Sequence, residues 1–238
     1  MPPAPRLLAP IGIFGGTFDP IHYGHLRVAL EVWEALQLAE LRLIPARQPP
    51  HRTTPGASPE QRLALLQLAV SEQPGFRVDG RELQRGGPSY TVDTLASLRA
   101  EYPDTPLCLL LGQDAFAKLD TWSRWAQLFR LAHLVVLTRP GHWPVLSSEL
   151  QAAVTAQRVS AVSELRQQVA GGLWFQAVTP LAISATHIRE LLARGQSPRY
   201  LLPDTVYAFI RAHGIYRAQP SSVNVPPVRR ATEGKRVE

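Results

Sequence analysis

Cysteine is nearly missing from this 238-residue chain: there is one, Cys108, inside Leu107-Cys-Leu-Leu-Leu111. A lone thiol excludes a disulfide framework within the chain and the sulfur-rich ligand sets of structural zinc. Its apolar surroundings predict a buried strand thiol rather than a reactive one, and a chain without disulfides is expected in a reducing cytoplasm. Long apolar runs are missing too. No stretch reaches the roughly 20 residues of a membrane-spanning helix. The start, MPPAPRLLAPIGIF, has prolines where a signal peptide needs continuous apolar residues. Lysine is scarce, and nearly all cations behind the net charge of +6 are arginines. No dense basic run occurs outside residues 218–238, and no zinc-finger or RNA-binding pattern is present. Arginines spread around an anionic small-molecule site therefore explain the charge better than nucleic-acid binding does.

What the chain does have is a 45% hydrophobic composition, enough for a substantial core, arranged as alternating strands and helices. Strands are predicted near 10–14, 41–45, 76–78, 107–111, 134–138 and 173–175. Helices are predicted over about Gly24–Leu38, from Pro59 (capped by Ser58) to about Glu72, from Ser89 or Thr91 onward, around Ser160–Val169, from the Ser184 cap to about Ala193, and from an Asp204 cap to about His213. This alternation predicts an α/β domain, a doubly wound parallel sheet with flanking helices, over residues 1–217. Residues 218–238 lack periodicity and read as a disordered tail. In such a sheet the segments that follow strands share one rim. Gly15–His25, Pro49–Arg52, Gly112–Asp114 and Arg139 are therefore expected to meet.

The most informative segment is Gly15–His25, GGTFDPIHYGH, after the apolar run 11–14. It reads as a strand, a glycine turn and a helix start, with His22 and His25 three positions apart. A helix N-terminus attracts phosphate, Gly15 and Gly16 let the backbone turn and approach a ligand closely, and Gly24 removes a side chain between two imidazoles able to donate to phosphoryl oxygens. Asp19 is either a turn former before Pro20 or a residue that helps place a nucleotide or metal.

GGTFDPIHYGH together with Ile183-Ser-Ala-Thr-His-Ile-Arg189 resembles the nucleotidyltransferase superfamily with an HxGH motif and a late ISSTxIR-like motif. Ala185 stands where serine is common. Three further segments narrow the resemblance: Ile44-Pro-Ala-Arg-Gln-Pro-Pro-His-Arg52; Arg81-Glu-Leu with Pro88-Ser-Tyr-Thr-Val-Asp-Thr-Leu95; and Leu111-Gly-Gln-Asp114 with Thr121-Trp122. In this order, across about residues 10–217, they are similar to the bacterial nicotinate-nucleotide adenylyltransferases, which make deamido-NAD from ATP and nicotinate mononucleotide.

The resemblance implies a Rossmann-like fold and adenylyl transfer, with His22 and His25 on the ATP phosphates and His25 facing the charge that builds at the α-phosphate. Gly15, Gly16, Thr17 and Phe18 would line the phosphates with backbone. Ser184, Thr186 and Arg189 would hold the β- and γ-phosphates, although Ser184 is also an ordinary helix cap. His51, Arg52 and Arg139 would reach substrate phosphate. Asp114 is either a ribose ligand or a helix cap. Trp122 is either a stacking partner for the pyridine or, at helical spacing from Trp125, a core residue. Thr91 would meet the nicotinate carboxylate. Magnesium is expected to accompany ATP without a cage of protein ligands. The substrates are the expected partners, with neither membrane nor nucleic acid. Self-association is left open.

Overall fold

The computed structural model describes residues 8–48, 55–139, 141 and 143–217. The predicted site segment Pro49–Arg52, with His51 and Arg52, and residues 218–238 lie outside the described residues.

Among the described residues six strands form one sheet: β1 (Ile11–Gly16), β2 (Glu40–Pro45), β3 (Phe76–Val78), β4 (Leu107–Gly112), β5 (His133–Thr138) and β6 (Leu173–Ala177). Their order is β3-β2-β1-β4-β5-β6, with every pairing parallel. The order reverses between β1 and β4, and in open α/β sheets ligands settle outside the carboxyl ends of the strands at that point.

Strand side chains alternate between two faces, and the alternation sorts the core into two clusters. Leu41, Leu43, Cys108, Leu110, Val135 and Leu137 face one way. There they meet α1 (Tyr23–Ala35), α2 (Pro59–Val70), α8 (Ala185–Ala193) and α9 (Asp204–Ala212), through Val32, Leu66, Ile188 and Ile210 among others. Ile13, Ile44, Leu109, Leu111, Leu134 and Val136 face the other way. There they meet α4 (Thr91–Glu101), α5 (Gln113–Phe116), α6 (Leu128–Leu131) and α7 (Ser148–Gln157). Burial on both faces explains why β4 and β5 read as unbroken apolar runs. Cys108 sits wholly inside, and burial pushes its thiol up to about 12, so it is protonated and inert at neutral pH.

Several boundaries differ from the sequence expectation. Helix α1 stops at Ala35, because Gln37 is left-handed (φ 50°) and turns Leu36 and Leu38 back into the core. No α-helix spans Ser160–Val169. Ser147 caps α7 earlier, Val159 is then drawn off to bond Leu173, and 162–166 form only a 3₁₀ turn. Pro203, not Asp204, is the cap position of α9, with Asp204 its first residue. Helix α4 starts at Thr91 behind Tyr90, while the Ser89 hydroxyl accepts from the Arg47 amide instead of capping. A short α3 (Arg81–Gln84) was not anticipated.

Candidate active site

The site grows from the end of β1. Gly15 and Gly16 do not make the turn; both are extended strand residues. The left-handed residue is Phe18 (φ 49°), which turns its ring under the strand. A Cβ on Gly16 would lie 2.9 Å from that ring, so glycine is required there for packing. Gly15 has a different role. A Cβ built on it, or on Gly112 at the end of β4, would meet no described atom within 4 Å. The two strands that flank the reversal in strand order thus end in bare backbone facing open space.

Phe18 positions the histidines. His25 packs edge-on against Phe18, with ring centroids 5.2 Å apart, and stacks on His22 at 3.8 Å. His22 occupies the cap position of α1 without using its side chain as a cap; its Nδ1 is buried and has no hydrogen-bond partner in the described structure. Burial lowers its pKa from 6.5 to about 4. His22 is therefore neutral at pH 7 and can offer a phosphate one N–H rather than a full charge. The backbone donors of the first turn are partly engaged, since Tyr23 N–H bonds Leu201 O and His25 N–H bonds His22 O.

The late motif arrives beside the early one. A Cβ on Gly24 would stand 3.0 Å from the His22 ring and 3.3 Å from Ile183 O, so this glycine sets how closely the starts of α1 and α8 approach. Ser184 caps α8 by accepting from His187 N–H at 3.1 Å. Thr186 is exposed on the same turn and accepts from Arg189 Nη2. Arg189 reaches back over the β1–α1 turn, with Nη1 2.7 Å from Asp19 O and 3.7 Å from the Asp19 carboxylate.

Asp19 is a knot that sequence reasoning saw only as a turn or nucleotide residue. It is 6% exposed. Its carboxylate accepts from Gly56 N–H (2.8 Å), Ala57 N–H (3.0 Å) and the Tyr216 hydroxyl (2.6 Å). Burial and the Asp19 carboxylate together push the Tyr216 hydroxyl far up, so it stays a donor. Arg62, at 0% exposure, was also missed; it donates to Thr17 O and Arg47 O. Its sequence signal was available, because Arg62 lies on the same helical stripe as Leu65 and Leu66, where a charge is out of place. Tyr216 carried no such signal.

The other rim is looser. Asp114 lies in α5 and not at its cap, which is Gly112. It pairs with Arg139 at 3.4 Å, and their side chains are 75% and 51% exposed. Gln113 ties the strand ends together by accepting from Arg139 N–H. Trp122 is half-buried against the second core cluster, on which Tyr90 and Trp125 also pack. Left-handed Arg124 (φ 53°) breaks the chain between the two tryptophans, so they do not share a helix. Thr91 opens α4, and Ser89 N–H bonds Gln48 O, which joins this side to the end of β2. The described members of the predicted set thus lie at the ends of β1, β4 and β5 and at the start of, or within, α1, α4 and α8, except Trp122, which follows the 3₁₀ turn 119–121.

A parallel sheet with histidines and two helix starts at its reversal point is an arrangement suited to nucleotide phosphate. The cytidylyltransferase-like family matches residues 13–191. The chain is 52% identical over 212 residues to "Probable nicotinate-nucleotide adenylyltransferase" of Aeromonas salmonicida, covering 89% of this chain and 99% of that protein. It is 56% identical over 209 residues to the protein of the same name in Halorhodospira halophila, covering 88% and 96%. The chain belongs to the nicotinate-nucleotide adenylyltransferase family within the cytidylyltransferase-like proteins. Its fold is also that of Plasmodium falciparum nicotinic acid mononucleotide adenylyltransferase, solved with NaAD (TM-score 0.66, 15% identity, 88% of this chain and 98% of that one) and with APC (TM-score 0.65, with the same identity and coverage). At 15% identity that likeness is one of fold.

Proposed function

We infer that this enzyme transfers the adenylyl group of ATP to the phosphate of nicotinate mononucleotide, giving deamido-NAD and pyrophosphate in NAD biosynthesis. The observation that carries the reading is 52% identity along 99% of a nicotinate-nucleotide adenylyltransferase. An acceptor phosphate oxygen bonds the α-phosphorus while the bond from that phosphorus to the α,β-bridging oxygen breaks, and the pyrophosphate takes the electron pair. The nucleophile is already an anion, so the protein's tasks are alignment and charge stabilisation.

In this reading His22 and His25 donate to the oxygens of the ATP phosphates, and His25 takes the larger share at the α-phosphate as charge builds. Gly15, Gly16, Thr17 and Phe18 bring backbone to the phosphates. The start of α8, with Ser184 and Thr186, and the Arg189 guanidinium receive the departing pyrophosphate. Trp122 stacks on the pyridine, Thr91 meets its carboxylate, Asp114 takes ribose hydroxyls, and His51, Arg52 and Arg139 attend the acceptor phosphate.

Magnesium comes with ATP as part of the substrate. Among the described residues no group of three His, Cys, Asp or Glu side chains is placed to hold a metal ion, and the Asp19 carboxylate is committed to Gly56, Ala57 and Tyr216. In this reading the ion would be carried by the ATP phosphates without a cage of protein ligands, and it would supply neutralisation of phosphate charge. Among the described residues no helix is long and apolar enough to cross a membrane. The buried thiol of Cys108 suits a reducing compartment, and we place the reaction in the cytoplasm.

The test is pyrophosphate release with ATP and Mg²⁺, comparing nicotinate and nicotinamide mononucleotides. Strong preference for the acid is expected. Preference for the amide would overturn the carboxylate pocket, and silence with both would overturn the acceptor class.

A further inference from the structure

Arg62 is a buried cation with no contact ion pair among the described residues; the Asp19 and Glu60 carboxylates act on its guanidinium only from beyond 4 Å. Burying a charge is costly, and an apolar residue usually serves stability at least as well. What the guanidinium holds is main chain. Nη1 donates to Thr17 O at 2.8 Å and Nη2 to Arg47 O at 3.2 Å. These carbonyls belong to two different loops, one leaving β1 and one leaving β2. Thr17 lies in the turn that leads to the histidines. Arg47 is the hub of the acceptor side, since its amide donates to Ser89 Oγ and its own guanidinium to Leu83 O and Arg85 O. The helix that carries Arg62 is also fixed. Ser58 and Gln61 cap its start reciprocally, and Asp19 holds the preceding Gly56 and Ala57 amides. A planar fork suits two acceptors at a set separation, which a lysine ammonium does not reproduce.

We propose that Arg62 is a positioning residue that sets the spacing between the phosphate turn at Thr17 and the acceptor wall at Arg47 and Ser89–Thr91. This proposal rests on the adenylyl-transfer reading, because alignment of a donor with an acceptor is what the spacing would serve. Each nucleotide keeps its own contacts without Arg62, while the attacking and receiving atoms lose register. In-line transfer is sensitive to that loss.

The test compares Arg62→Met, Arg62→Lys and, as a packing control on the same helical stripe, Leu65→Val. Rates are expressed per folded enzyme. Arg62→Met is expected to lower kcat about 30-fold, a loss within the range that misplaced reacting groups cause. Separately measured Kd values for ATP and mononucleotide should stay within about threefold, the split that marks loss of alignment rather than of binding. Arg62→Lys, with one carbonyl in reach, should recover part of the rate, and Leu65→Val should keep it. Amide exchange supplies a substrate-free arm: residues 16–18 and 46–48 should exchange faster together in Arg62→Met and not in Leu65→Val. An unchanged kcat in either Arg62 variant, or unchanged exchange in both segments, overturns the proposal. Should Arg62→Met fail to fold, Arg62→Lys decides alone. A wild type that prefers the amide refutes the acid reading and leaves this comparison intact with the amide. A wild type silent with both leaves the exchange arm to decide.

Discussion

At the β1–α1 corner, His22 and Asp19 are 5% and 6% exposed, the Asp19 carboxylate has three donors, and Arg62 grips two carbonyls from below. At the β4–β5 rim, the Asp114 and Arg139 side chains are 75% and 51% exposed and share one contact of 3.4 Å. Both regions lie at the carboxyl edge of the same sheet. The corner is held by protein partners on every side, as donors must be when they are to act on charge that appears only during reaction. The rim has few internal ties, so a bound nucleotide would supply much of its order. Under the proposed function the difference predicts that the corner governs rate and the rim acceptor affinity, and each prediction can be broken.

The largest effect is expected at Asp19. Asp19→Ala strands the Gly56 and Ala57 amides and the Tyr216 hydroxyl around a buried hole, at a cost of about 3 to 5 kcal/mol. Tyr216→Phe removes one of these bonds, at about 1 kcal/mol. Urea unfolding at pH 7 measures both. An Asp19→Ala protein within 1 kcal/mol of wild type would mean that the corner is not prebuilt.

Acid comes next. The folded pKa of His22, about 4, lies below the 6.5 of an unperturbed imidazole. The unfolded chain therefore binds a proton first, so stability is full above pH 6.5, declines as pH falls through 6.5 toward 4, and levels off below. The loss from this group is at most about 3 kcal/mol, from 1.36 kcal/mol per unit. His133, whose pKa burial also lowers, contributes in the same direction. The diagnostic is thus the difference between wild type and His22→Asn, whose stability should fall less steeply over that interval. Parallel curves would contradict a neutral buried His22.

His25→Ala should reduce turnover by about 10²-fold, the usual cost of one preorganised donor, with the fold retained. Near-normal turnover would move the α-phosphate contact elsewhere. On the opposite side, Trp122→Ala should raise KM for the mononucleotide about 10-fold, or about 1.4 kcal/mol of stacking, while ATP affinity holds. Weakened ATP binding with normal acceptor binding would exchange the roles of the two regions.

How much of this contrast was legible in the sequence follows from the range of the interactions. The sheet was readable because strands buried on both faces leave apolar runs, and α2 because Ser58-Pro59 with Gln61 is a local cap signal. His22, Gly24 and His25 were readable because eleven consecutive residues, 15–25, carry the motif. Asp19 was legible as a turn former or a residue that places a nucleotide or metal, but not as a structural knot, because Gly56, Tyr216 and Arg189 lie 37, 197 and 170 positions away, and single-chain periodicity holds no information at that range. The misplaced helix at 160–169 has the same origin. Val159 bonds to Leu173 across the sheet edge, and a tertiary bond overrides local propensity. The turn expected at Gly15 and Gly16 was wrong for both, since they are strand residues, and at Gly16 the constraint is the Phe18 ring.

The smallest effect sharpens the comparison most. Asp114 and Arg139 form a solvent-exposed pair, and exposed pairs contribute from nothing to about 1 kcal/mol. Asp114→Ala should therefore shift unfolding by less than about 0.5 kcal/mol. If Asp114 takes ribose hydroxyls, the same variant should still weaken mononucleotide binding several-fold. A residue that matters to affinity and not to folding is what a rim completed by its ligand would contain. If Asp114→Ala destabilised the protein as Asp19→Ala does, the rim would be prebuilt like the corner, and the division of labour between them would fail.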